Sequence, residues 1–151
     1  MLATYGAHPN DKLLVHYGFL LPSSPDDDIR LDHIILPKFT DQIKSQLQDV
    51  GFLGAYALLP TTNELCFKTQ VAVRAHLLTS NEWEYFMANG EDLSSDQSRV
   101  VNAWLRPVLE QYCRKAGEKM AQVGEQTPQR KLLKLRWRQI YAALEAWLDP
   151  F

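Results

Sequence analysis

Two tyrosine-glycine pairs near the start are the residues best suited to chemistry: Tyr5-Gly6 and Tyr17-Gly18-Phe19, with Asn10 and the apolar run Leu13-Leu14-Val15 between them. A tyrosine hydroxyl both donates and accepts hydrogen bonds, so on a rigid backbone it can fix a polar reacting group in place. On residue types alone, Tyr17 and Phe19 also suit a core and Tyr5-Gly6 a turn. Other chemistries find less support. The two cysteines, Cys66 and Cys113, lie far apart with no His or Cys at ligand spacing, and read as reduced, partly buried thiols. His33 and His76 stand alone and are expected at partly buried core positions. The run Asp26-Asp27-Asp28 is expected to be a solvated connection rather than a cation site, because consecutive carboxylates diverge and repel. The sequence holds no G-x-x-x-x-G-K, G-x-S-x-G or H-E-x-x-H.

The elements that must position these residues are helices. Pro9-Asn10-Asp11 signals a short helix through Leu13, Leu14 and Tyr17 to Gly18, joining the two Tyr-Gly pairs, with Asn10 suited to cap it. Pro22 to Asp28 breaks periodic structure and gives the preferred boundary. Beyond it, Ile29 and Leu31 alternate with Arg30 and Asp32, and Ile34-Ile35-Leu36 runs to Pro37, which predicts a strand or extended segment. Thr40 caps a helix carrying Ile43, Leu47 and Val50, stopped by Gly51. Residues 54–62 read as a loop with extended character. The spacing of Phe67, Val71, Ala75 and Leu78 predicts a helix over 64–78. Thr79 with Glu82, or Asn81 with Glu84, offers a capping box for a helix ending at Asn89-Gly90. Ser94 with Gln97 opens another whose stripe is Val101, Trp104, Val108, Tyr112 and Ala116, and Pro107 inside it is expected to kink or divide it. Thr127-Pro128 starts the last helix, with the stripe Leu133, Trp137, Ile140 or Tyr141, Leu144 and Leu148. Its basic residues Arg130, Lys131, Lys134, Arg136 and Arg138 read as a solvated face, with an acidic protein or nucleic acid as the lesser alternative. The expected architecture is mainly α, ending in a long antiparallel helix pair.

Length and composition agree with this. A chain of 151 residues with 46% hydrophobic residues can bury a core of its own, and a formal charge of −2 gives no global attraction to nucleic acid or anionic membrane. The longest apolar runs fall short of the roughly 20 residues of a membrane helix, and no export signal is visible at the N-terminus. An intracellular protein of the cytoplasm or nucleus is expected.

Written out, TYGAHPNDKLLVHYGF (residues 4–19) resembles the closing segment of the SET domain in protein-lysine methyltransferases related to the Rubisco large-subunit methyltransferase, where YG-x-x-x-N-x-x-L-L-x-x-YGF recurs. The helical remainder, with AYALLPTTNEL at 55–65, resembles that family's substrate-binding domain more diffusely. The resemblance implies a SET-domain remnant at 1–21, a linker at 22–29 and an α-helical substrate-binding domain at 30–151. It places Tyr5 on the catalytic tyrosine, and Tyr17, Gly18, Phe19 and Asn10 on the segment that supports the substrate channel.

The chemistry implied is methyl transfer from S-adenosylmethionine to a lysine. The amine must be neutral for in-line attack although its ordinary pKa is about 10.4, and desolvation in a narrow channel lowers it. Tyrosine hydroxyls can hold that amine and accept weak CH···O contacts from the methyl group. A SET enzyme also needs a Gly-rich cofactor segment and an Asn-His pair, and here no Asn is followed by His. The expectation is therefore the C-terminal part of an enzyme, inactive alone, that binds a protein substrate and needs the missing SET core and its S-adenosylmethionine for activity. The alternative is a stand-alone helical interaction module without catalysis.

Overall fold

The computed structural model describes Asp11, Leu14 and residues 27–91 and 96–148, with backbone alone at 96–98. Tyr5, Asn10, Tyr17, Gly18 and Phe19 lie outside the described residues, as does the short helix expected between the two Tyr-Gly pairs. The fold is mainly α. In order come β1 (Ile29–Arg30), α1 (Asp32–Ile35), a 3-10 turn (Leu36–Lys38), α2 (Asp41–Asp49), β2 (Ala57–Leu59), β3 (Glu64–Leu65), α3 (Phe67–Leu77), α4 (Ser80–Asn89), α5 (Asp96–Gln122) and α6 (Pro128–Leu148). The strands form one small sheet in the order β1-β2-β3. No helix among the described residues is long and apolar enough to cross a membrane.

The described residues divide into two compact units. One comprises Arg30–Ala57 and Leu65–Glu110, and the other takes Leu58–Glu64 with the described parts of Met1–Ile29 and Gln111–Phe151. In the first unit, Leu31, Ile35, Leu47, Tyr56, Val71, Val73, Leu105 and Leu109 are fully buried. Residues 34–36 are helix and 3-10 turn, not strand. The cause is Asp32, whose carboxylate accepts the backbone N–H groups of Ala55 (3.0 Å) and Tyr56 (2.7 Å), so the chain must turn at once after β1. That contact also holds Ala55 at φ 61°, a left-handed conformation costly for a residue with a Cβ. Tyr56 is sealed in the core with its hydroxyl donating to the Phe52 carbonyl at 2.8 Å. Phe39, His76 and Trp104 form an aromatic cluster with centroids 5.1 to 6.2 Å apart.

Local signals set the helix ends. Thr40 caps α2 through Ile43 N–H, and Thr79 with Glu82 forms the full capping box of α4. Gly90 closes α4 at φ 72°, where only a residue lacking Cβ sits without strain. α3 departs from the expected stripe. Thr69, Val71, Ala72, Val73, Arg74 and Ala75 are all buried, whereas Phe67 is 59% exposed and meets the edge of Phe52 at 5.9 Å. α5 runs unbroken through Pro107. Pro107 and Ala103 are both exposed, so the carbonyl that loses its N–H partner faces water.

The second unit is built on the pair formed by the C-terminal half of α5 and α6. The Cys113 thiol lies 4.0 Å from the Tyr141 carbonyl, and a Cβ on Gly117 would approach the Tyr141 ring to 3.3 Å, so the two backbones run close together. Tyr112, Ala116, Ile140, Ala143, Leu144 and Leu148 are its buried seam. The turn between β2 and β3 docks here too. Asn63 sits at φ 59°, and its amide donates to the Ala146 carbonyl at 3.2 Å.

Candidate functional site: a buried arginine on the last helix

The last helix begins as its sequence dictates. Thr127 Oγ1 accepts the Arg130 N–H at 3.1 Å, and Pro128 takes the first helical position, where no N–H is needed. From that start, Arg136, Ile140, Leu144 and Leu148 fall four residues apart and are all buried, with Ala143 beside them. The buried stripe is thus rotated from the expected one. Leu133 is 41% exposed, and Arg136, expected on a solvated basic face, is 2% exposed.

A buried guanidinium must be paired and hydrogen-bonded to be tolerated. Arg136 meets that condition on every nitrogen. Its Nε donates to Asp11 Oδ1 at 2.6 Å, Nη1 donates to Asp27 Oδ2 at 2.9 Å and to Gln139 Oε1 at 3.0 Å, and Nη2 donates to the Asp28 carbonyl at 2.8 Å. The planar fork of arginine suits this arrangement, since its donors leave in fixed directions that a lysine ammonium cannot copy. Burial by itself would pull the guanidinium pKa down. The hydrogen bonds and charges of Asp11 and Asp27 outweigh it and raise the pKa, so the group stays cationic.

The acidic run is therefore more than a solvated connection. Asp27 is 8% exposed and Asp28 supplies its carbonyl, while the Asp11 side chain remains 44% exposed. Nearby Tyr112 is buried, and desolvation pushes its hydroxyl up to about 12; the charge of Asp11 adds to this and that of Arg136 opposes it. Tyr112 is thus protonated at neutral pH and acts as a hydrogen-bonding group. The signal for the cluster was present in the sequence, in the continuation of 140, 144 and 148 back to 136 and in the acidic residues available to meet it.

The remaining chemistry-bearing residues are not gathered. Cys66 and Cys113 are free and half-buried, as expected. Cys66 Sγ lies 3.1 Å from Thr69 Oγ1, and burial raises the Cys113 thiol pKa, with Glu145 adding to it. His76 is half-buried in the aromatic cluster and burial lowers its pKa, whereas His33 is exposed, contrary to expectation. Among the described residues no group of three or more His, Cys, Asp or Glu side chains is placed to hold a metal ion. The arrangement around Arg136 is suited to holding chain segments together, with its donors already engaged by protein acceptors.

No protein-family model matches the chain, and no solved structure matches it. Over 97 residues, 64% of its length, the chain is 37% identical to the ribosomal lysine N-methyltransferase set11 of Schizosaccharomyces pombe. It spans 23% of the length of that relative. The similarity supports a relation to a lysine methyltransferase of the SET type.

Proposed function

We propose that these residues are the C-terminal part of an S-adenosylmethionine-dependent protein-lysine N-methyltransferase of the kind related to the Rubisco large-subunit methyltransferase. The observation that carries this reading is the 37% identity with a lysine methyltransferase. The YG-x-x-x-N-x-x-L-L-x-x-YGF pattern at 5–19 agrees with it. In this reading Tyr5 belongs to the wall of the lysine channel, Tyr17, Gly18, Phe19 and Asn10 support that wall, and the helices hold the protein substrate. Binding of substrate far from the reacting amine then contributes to the rate through orientation. A ribosomal protein is the first substrate class to test, and the cytoplasm or nucleus the place of action.

S-adenosylmethionine supplies the methyl group in the complete enzyme. The buried cations described here do not fit its carboxylate. Arg136 is engaged by Asp11, Asp27, Gln139 and the Asp28 carbonyl, and Arg74 by the Gln70 carbonyl and the face of Phe86. In this reading the SET core of a longer protein supplies the cofactor contacts, and the 151 residues alone are expected to transfer no methyl group.

The test compares thermal stability and binding. A ligand that binds only the folded state raises its apparent stability. The 151-residue chain is expected to bind an unmethylated ribosomal protein substrate and to show no shift with S-adenosylmethionine, while a longer chain that includes a complete SET core shifts and transfers methyl groups to lysine. A longer chain that binds the cofactor and methylates no protein lysine overturns the reading.

A further inference from the structure

Charge is divided unevenly along the chain. Residues 111–148 carry eight Lys and Arg against three Asp and Glu, a local charge of +5 in a chain whose total is −2. On α6 the cations are ordered. Arg130, Lys134 and Arg138 follow one another every four residues, two positions out of step with the buried row Arg136, Ile140 and Leu144. Two residues of helix rotate by about 200°, so the cation row stands on the side opposite the buried one. Arg130, Lys131 and Arg138 are exposed and Lys134 is half-buried. Among the described residues one carboxylate pairs with these four, that of Glu125 at 3.5 Å from Lys134 Nζ. The Glu125 side chain is 58% exposed, so this pair gives way to another anion at little cost.

The make-up of this face selects its partner. The core of a protein–protein interface is depleted of charge and built on apolar and aromatic anchors. Here the exposed apolar residues of α6, Leu133 and Leu135, fall to either side of the cation row and not within it. Interfaces with nucleic acid are strongly positive instead. The row from Arg130 to Arg138 spans about 12 Å, over which a duplex presents about seven phosphate charges, enough for each cation to meet one. We propose that the face of α6 bearing Arg130, Lys131, Lys134 and Arg138 docks on the phosphate backbone of duplex RNA. The contact reads no base sequence, because the major groove of A-form RNA is too narrow for side chains to read. The choice of RNA over DNA as the source of the phosphates rests on the reading of the chain as part of a methyltransferase with a ribosomal protein substrate. The recognition of phosphate rests on α6 alone.

The experiment measures binding of the 151-residue chain to a fluorescent RNA duplex of about 20 base pairs, at salt concentrations from about 50 to about 200 mM. Four phosphate contacts give a slope of log K against log salt of about −3.6, and a loss of affinity of about 100-fold over that range. Arg130→Gln, Lys134→Gln and Arg138→Gln combined leave Lys131, so the slope is expected to fall to about −0.9 and the loss to about threefold. Should the circular dichroism of that variant depart from the parent's, Arg138→Gln alone decides, with a slope reduced by about one. Lys38→Gln with Arg99→Gln removes exposed cations outside α6 and is expected to keep the parent's slope. No binding by the parent, a parent slope in the α6 variants, or an equal fall in the Lys38 and Arg99 control overturns the site. Equal or tighter binding of a DNA duplex of the same sequence overturns the choice of RNA. Displacement of the RNA by a polyglutamate peptide at equal charge concentration overturns the phosphate assignment in favour of an acidic protein. No readout here uses methyl transfer, so a longer chain that methylates no lysine overturns the methyltransferase reading while the duplexes still decide the RNA site.

Discussion

Replacing Arg136 with methionine is the most informative perturbation of stability. Methionine keeps an unbranched apolar stem of similar reach and removes the guanidinium, so the change tests the charge cluster more than packing. Arg136 is 2% exposed and Asp27 8%, and water reaches neither freely. Removing one member of a buried pair costs about 3 to 5 kcal/mol, because the remaining charge loses its compensation. The Asp11 arm differs. Its side chain is 44% exposed, water can replace the lost contact, and screening holds its share to about 0.5 to 1 kcal/mol. The account therefore predicts a steep ranking, with Arg136→Met costing several times as much as Asp11→Ala. It also predicts coupling: Asp27→Asn added to Arg136→Met should be milder than the sum of the two by about 1 to 3 kcal/mol, since the second change removes the stranded charge. Urea unfolding followed by tryptophan fluorescence and by circular dichroism measures the parent, the three single variants and the double variant. Arg136→Met within about 1 kcal/mol of the parent, or Asp11→Ala as costly as Arg136→Met, would refute the reasoning.

Ala55→Gly should stabilise the chain by about 0.5 to 1 kcal/mol, because relief of the left-handed backbone exceeds the added freedom of the unfolded chain; a measured loss in denaturant melts contradicts the conformational argument. Thr79→Ala removes the hydroxyl half of the capping box at the start of α4 and should cost about 1 kcal/mol, with helical exchange protection lost first at residues 80–84. His76 is pulled below its ordinary 6.5 by burial, so above that pH it is neutral in both folded and unfolded states and its environment carries no penalty. As pH falls below 6.5 the unfolded state takes up the proton first, and stability should decline until the folded-state pKa is passed. His76→Leu should flatten that part of the stability profile, and an unchanged slope would assign the decline to other groups.

Much of the local structure was legible because its causes are local. Thr40, the Thr79 and Glu82 pair, Gly90 and Thr127-Pro128 each act within a few residues, and each marks a helix end where its chemistry required one. The two long helices followed from periodicity for the same reason. What escaped depends on partners distant in sequence. Ile34-Ile35-Leu36 looks extended until Asp32 is seen to take the N–H groups of residues 55 and 56. α3 shows no single stripe, because it is buried on several sides and spacing cannot report which. Pro107 leaves α5 whole because the orphaned carbonyl faces solvent, a property of burial and not of the proline. Arg136 reads as solvated because an isolated guanidinium belongs in water; the carboxylates of Asp11 and Asp27 and the backbone carbonyl of Asp28, from the other end of the chain, reverse that preference. The Tyr-Gly segment was legible only as a pattern, through its resemblance to a family. No rule of spacing alone assigns a hydroxyl to a methyl-transfer channel.

The central claim is that this segment completes the lysine channel of a methyltransferase. Its most direct test is Tyr5→Phe in a longer chain with a complete SET core, measuring methyl transfer from labelled S-adenosylmethionine to a ribosomal protein beside the binding constant for that protein. The account predicts a fall in kcat of about a hundredfold or more with substrate affinity unchanged. Full retained transfer would remove Tyr5 from the mechanism and contradict the claim.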